Sequence, residues 1–246
     1  MSEKKNGVVW LVGAGCGSAD LITVRGLNLI QGCDVLVYDD LIDEALVDEA
    51  PKHAVCVYMG KRSGHHSAPQ GDICDMLIHF AQQGNRVVRL KGGDPYLFGR
   101  GGEEMLALKA AGVECHEVPG IPSAIGIPAE AGIPVTHRGK SRSLHIITGH
   151  TSDAEDGLPA DFDHLAGIDG TLVFLMGLAQ LERIVDRLMA AGKRSDTPAA
   201  VLSGGNSKNP ARVRGTLCDI AQKARDAQVK SPAIIMVGGV AEMDLN

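Results

Sequence analysis

The sequence predicts an α/β protein built of two α/β domains with mixed, mostly parallel sheets and an active-site cleft between them. Three observations carry that expectation. Short apolar runs ending in glycine alternate with stretches at helical spacing, the pattern of buried parallel strands and their crossover helices. A stretch dense in proline and glycine, VPGIPSAIGIPAEAGIPVTHR (118–138), interrupts the 246-residue chain near its middle. Beyond it the apolar runs resume. The expected domains are residues 1–118 and 119–246.

Each element follows from its own pattern. VVWLVGA (8–14) is a continuous apolar run that suits a buried strand. Leu21, Val24, Leu27 and Ile30 recur at helical spacing, which predicts a helix over 20–31. DVLVYD (34–39) and AVCVYM (54–59) read as the second and third strands. PQGDICDMLIHFAQQG (69–84) opens on proline and closes on glycine, the punctuation of a helix. RVVRLKG (86–92) is the fourth strand and GEEMLALKAAG (102–112) the helix after it. The proline-glycine stretch reads as a hinge, a short helix and a loop. Further strands are expected at 143–150, 171–177, 198–205, 211–217 and 232–239, with a helix over 178–192. ARVRGTL (211–217) alternates in period two, so it is expected to be antiparallel and half exposed.

Composition narrows the function. A net charge of −6 lacks the basic footprint of a general nucleic-acid binder, and 3% aromatic residues leave few platforms for base stacking. The six cysteines are scattered, with no C-x-x-C pair and no zinc-finger histidine spacing, so they are expected to be reduced thiols of a cytoplasmic protein without a metal site. No run approaches the roughly 20 apolar residues of a membrane span.

Two glycine-rich segments invite a ligand. GAGCGSADLIT (13–23) fails the dinucleotide fingerprint because Ser18 stands where the third glycine belongs, which leaves a turn and a ligand loop both open. RLKGGDPYLFGRGGEE (89–104) is more specific. Its glycines expose backbone after a strand, Asp94 sets a carboxylate there, Pro95 stiffens the exit, and Arg100 precedes an acidic helix start at Glu103 and Glu104.

These segments, with DVLVYDDLI, GKRSGHHSAPQ, the proline-glycine stretch, TGH, LVFLMGL and SPAIIMVGG, resemble the tetrapyrrole methylase family from about residue 7 to 240. The resemblance implies S-adenosylmethionine as methyl donor and S-adenosylhomocysteine as by-product, with no metal. It implies methylation of carbons 2 and 7 of uroporphyrinogen III to give precorrin-2, by a cytoplasmic homodimer that binds neither nucleic acid nor membrane. The family's cofactor contacts fall on Cys16, Gly92, Gly93, Asp94, Leu97, Pro122, Ser123, Met176 and Gly205. Its proton acceptor falls on Asp39 and its proton donor on Lys61. Arg100, Glu103 and Arg138 fall on substrate-binding positions.

Three residues depart from the family pattern: Cys16 replaces a proline, Ser18 an aspartate and Pro122 a threonine. Without the resemblance, Asp39 reads as a loop or capping residue, Lys61 as a solvated charge, Met176 as core filler and Gly205 as a loop glycine. A substrate with eight carboxylates calls for guanidinium groups, whose planar fork matches carboxylate geometry. Arg100 and Arg138 head that expected basic cluster, with Lys61, Arg62, Lys140 and Arg142 beside them. Three rival readings are a sibling methylase acting on a later corrin intermediate or a modified protein histidine, a nucleotide-dependent oxidoreductase, which the broken glycine fingerprint disfavours, and a non-catalytic binder of S-adenosylmethionine or a tetrapyrrole.

Overall fold

The computed structural model describes residues 6–60, 70–151, 157–204 and 210–246. The chain divides into two units, Met1–Pro122 and Ser123–Asn246.

The first unit is a sheet of five strands: β1 (Val8–Gly13), β2 (Val35–Tyr38), β3 (Val55–Tyr58), β4 (Arg86–Lys91) and β5 (Glu114–Val118). Their order is β3-β2-β4-β1-β5, and every ladder is parallel. Among the described residues, four helices connect them: α1 (Val24–Ile30), α2 (Ala45–Asp48), α3 (Gln70–Gln82) and α4 (Gly101–Ala110). Alternate strand residues face opposite sides. Val9, Leu11, Val35, Val37 and Val87 pack with Leu77 of α3 and Leu108 of α4, while Val12, Leu36, Val88 and Leu90 pack with Ile30 and Leu46.

Two local differences from the sequence reading have clear causes. The helix expected over 20–31 is broken into a 3-10 turn at Ala19–Leu21 and α1, because the Thr23 hydroxyl caps the new start by accepting the Gly26 N–H at 3.1 Å. Strand β5 was not anticipated, since ECHEV carries charge at alternate positions. It lies at the sheet edge beside β1, where one side needs no apolar cover.

The second unit contains α5 (Ser123–Glu130), β6 (Leu144–Thr148), β7 (Thr171–Leu175), α6 (Leu181–Ala190), β8 (Pro198–Ser203), β9 (Ala211–Thr216), α7 (Ile220–Asp226) and β10 (Ile234–Val237). Its sheet order is β6-β7-β10-β8-β9. Only β6 and β7 are parallel; the other three ladders are antiparallel, so the mostly parallel expectation describes the first sheet and the mixed one the second. The few residues between β8 and β9 are too short for a parallel crossover, which needs a dozen or more. As the period-two pattern anticipates, β9 pairs antiparallel with β8 at the edge. Leu181, Ile184, Val185 and Leu188 form the buried stripe of α6, each contributing roughly 1.5–3 kcal/mol of burial free energy.

Candidate active site

The ends of β1, β4 and β5 lie together at one edge of the first sheet. Ala14 N–H donates to the Lys91 carbonyl at 2.8 Å, and Gly15 and Gly93 exchange two backbone bonds of 3.2 and 2.7 Å. Both glycines hold left-handed backbone, at φ +80° and +68°. A Cβ on Gly13 would lie 2.6 Å from the Gly93 oxygen, and one on Gly120 would collide with that same oxygen. Gly92 is bare for another reason: its Cβ would lie 2.6 Å from Leu41 Cβ and from the Leu41 carbonyl oxygen. These glycines therefore let strand ends touch one another, and the product is a ledge made largely of backbone. Cys16 and Pro122 flank it in sequence and are half-buried.

Asp94 ties the ledge together. Its Oδ1 accepts the Tyr96 N–H at 2.9 Å and its Oδ2 the Gly120 N–H at 3.2 Å, while its carbonyl accepts the Leu97 N–H at 3.4 Å. Nearby Glu117 has its carboxyl pushed above the usual range, first by burial and then by the Asp94 charge. Beyond Pro95, Phe98 and Arg100 both sit at positive φ, 56° and 58°, a conformation non-glycine residues hold only when their surroundings impose it. Arg100 precedes α4 and grips both oxygens of Glu103, Nε at 2.9 Å and Nη2 at 2.7 Å. That bond holds the Glu103 carboxyl below its ordinary range. Tyr96, Phe98, Leu41 and Ile121 leave apolar surface exposed on the strand-end loops.

Asp39 follows β2 directly. Its Oδ1 accepts the Leu41 N–H at 3.1 Å and its Oδ2 a bond from Arg89 Nη2 at 2.9 Å. Arg89 belongs to a charged group that the sequence reading missed. Arg89, Lys91 and Glu104 are buried, at 3%, 5% and 0% exposure. Lys91 Nζ lies 3.0 Å from Glu104 Oε1, which also accepts from Gln70 Nε2 at 3.0 Å. Burial, and secondarily the Arg89 charge, lowers the Lys91 ammonium from its ordinary value, while Glu104 opposes the shift. The signal was present: two cations two apart in a strand covered on both faces require a buried anion.

The second unit carries the remaining candidates that the structure describes. Ser123 opens α5. Met176 follows β7 at φ 57° and is 56% exposed, which removes the core-filler reading. Arg138 lines an open hollow of about 670 Å³ with Thr136, His137, Gly139, Ser141 and Arg142, inside a turn closed by the His137–Ser141 bridge. Lys140 pairs with Glu242. Lys61, Arg62 and Gly205 lie outside the described residues. None of the six cysteines is in a disulfide. Among the described residues, no group of His, Cys, Asp or Glu is placed to hold a metal, and no helix is long and apolar enough to cross a membrane.

A parallel sheet whose candidate residues gather at its strand C-terminal ends places the first unit in the ligand-binding α/β class. A profile of the Tetrapyrrole (Corrin/Porphyrin) Methylases matches residues 8–221, and the chain belongs to that family. It is 45% identical to the uroporphyrinogen-III C-methyltransferase of Methanocaldococcus jannaschii, over 96% of this chain and 98% of that one. It is 44% identical to the siroheme synthase of Pseudomonas fluorescens, over 95% of this chain but 50% of that protein. Among solved structures, the uroporphyrin-III C-methyl transferase of Thermus thermophilus complexed with S-adenyl homocysteine matches with a TM-score of 0.81 at 34% identity, covering 96% and 94% of the two chains. A cobalt precorrin-4 methyltransferase superposes with a TM-score of 0.84 at 26% identity, covering 96% of each chain.

Proposed function

We propose that this chain transfers methyl groups from S-adenosylmethionine to carbons 2 and 7 of uroporphyrinogen III, releasing S-adenosylhomocysteine and precorrin-2 for the sirohaem, cobalamin or haem d1 branches. The observation that carries this reading is the 45% identity, running nearly end to end, with a protein of that name. The enzyme works in the cytoplasm as a homodimer.

The chain's own groups fit the methyl donor. A ledge of backbone from Gly92 and Gly93 lets a ligand rich in donors and acceptors approach main-chain groups closely. Asp94 keeps unused acceptor capacity on a carboxylate that its two N–H partners hold still. In the first unit Cys16, Gly92, Gly93, Asp94, Leu97 and Pro122 contact the donor; in the second, Ser123, Met176 and Gly205 do. The donor supplies an electrophilic methyl on a sulfonium.

Each transfer breaks the sulfur–methyl bond and forms a carbon–carbon bond at an electron-rich ring carbon, after which the ring sheds one proton. Asp39, partly exposed and hydrogen-bonded at both oxygens, accepts that proton, while Lys61 gives the ring a proton at one position only as another position releases one, so the net loss stays at one proton per methyl. Arg100, held by Glu103, and Arg138 bind substrate carboxylates. Positioning and charge neutralisation do most of the work, because the substrate supplies its own nucleophile.

Incubation with methyl-labelled S-adenosylmethionine and uroporphyrinogen III tests the reading. Gain of two labelled methyls on the ring supports it. Methylation of a later corrin intermediate in place of uroporphyrinogen III supports the sibling activity, and binding without transfer supports a binder.

A further inference from the structure

The geometry points to Glu104 and Lys91 as positioning residues that fix the Asp39 carboxylate through Arg89. The inference rests on the reading of Asp39 as proton acceptor and adds the machinery behind it.

Arg89 and Lys91 sit two apart on β4, on the sheet face where Val87 packs against the apolar residues of α3 and α4. Burying cations there is expensive, and apolar residues of similar size often stabilise a core as well or better. Stability alone gives no reason for these three charges.

Their contacts point outward to Asp39. Glu104 Oε1 takes Lys91 Nζ at 3.0 Å and Gln70 Nε2 at 3.0 Å, with Arg89 Nε at 3.6 Å. Arg89 Nη1 donates to the Leu90 carbonyl at 3.0 Å, so the guanidinium plane is held from two sides while Nη2 reaches Asp39. Among the described residues, Glu104 Oε2 and Arg89 Nε make no hydrogen bond, so one carboxylate oxygen carries the anchorage. Two cations against Glu104 leave one positive charge in a dry site, and ionised Asp39 brings the four to neutrality. The side chain of Asp39 is 25% exposed, against 4%, 6% and 0% for Arg89, Lys91 and Glu104. It is the member that reaches solvent, and its other oxygen is fixed by the Leu41 N–H.

Removing Glu104's charge therefore frees Arg89 to swing and to clamp Asp39 differently, without touching the ledge that holds the methyl donor. The test is single-turnover methyl transfer, which keeps slow variants readable, alongside S-adenosylhomocysteine titration and thermal melting. Glu104→Gln is expected to slow transfer roughly 10- to 100-fold, with by-product affinity changed less than about twofold. Lys91→Met combined with Glu104→Gln removes one charge of each sign; it is expected to melt near the parent temperature yet remain slow. In an Asp39→Asn background, Glu104→Gln is expected to add no further loss.

Recovery of the parent rate in the charge-balanced double variant would overturn the proposal and reduce the cluster to a structural role. So would losses that multiply in the Asp39→Asn background, or a by-product affinity that falls in step with the rate. Full activity of Asp39→Asn by itself would instead sink the proton-acceptor reading, and the positioning role with it.

Discussion

Asp94 Oδ2 accepts the backbone N–H of Gly120 at 3.2 Å, so one carboxylate joins the loop after β4 to the loop after β5. With Oδ1 on the Tyr96 N–H, the side chain is a fastener of the ledge as well as its only acidic group within the GGDP loop. Asp94→Ala removes both acceptors. It is expected to destabilise the protein by about 1–3 kcal/mol, read by urea unfolding, and to abolish S-adenosylhomocysteine binding. Unchanged stability would show that the loops hold together without it.

Glycines in this fold are not equivalent. A Cβ at Gly120 would collide with the Gly93 oxygen, whereas one at Gly102, inside α4, meets nothing within 4 Å. Gly120→Ala is expected to lower the melting temperature sharply, while Gly102→Ala stabilises by about 0.4–1 kcal/mol through a less flexible unfolded chain and better helix propensity. Paired melts of the two variants check the contrast.

Glu117 gives a pH dependence with a definite sign. Its folded carboxyl is raised above 4.5 by burial and by Asp94. Between the two values the folded state keeps a proton that the unfolded chain has released, so stability falls as pH rises through that window. Glu117→Gln removes the penalty. It is expected to melt higher than the parent at pH 7 and to lose that advantage as the pH falls to 4.5 and below.

In the proposed function Arg100 binds the substrate. Its guanidinium faces Glu103 at the exposed start of α4, away from the Gly15–Gly93 bridge in sequence and bonding. Arg100→Ala is expected to weaken tetrapyrrole binding about tenfold or more, the loss of one charge-assisted pair, with S-adenosylhomocysteine binding nearly unchanged. Titrating both ligands separates the cases; equal losses would assign Arg100 to the donor site or to the fold.

Much of this molecule is legible in its sequence, and what was hidden has physical causes. The runs around Val9, Val37 and Val88 announce buried parallel strands because apolar residues continue through both faces. ECHEV does not, because an edge strand at Glu114–Val118 tolerates charge on alternate residues. The glycine loop was visible, but its glycines explain chain-on-chain contact at Leu41 and Gly120, which only the topology reveals. Glu104 looks like an ordinary acid in a first helical turn. Its partner Lys91 lies 13 residues away, and only the packing of α4 on β4 brings them together. Met176 had no sequence signal for its left-handed, exposed setting.

The proposed activity requires the strand-end ledge to seat the methyl donor. A crystal structure with S-adenosylhomocysteine bound is the most direct test of it. Ligand density is expected against the backbone of residues 92–94, in hydrogen-bonding reach of Asp94. Density lodged elsewhere on the protein, with that ledge bare, would contradict it.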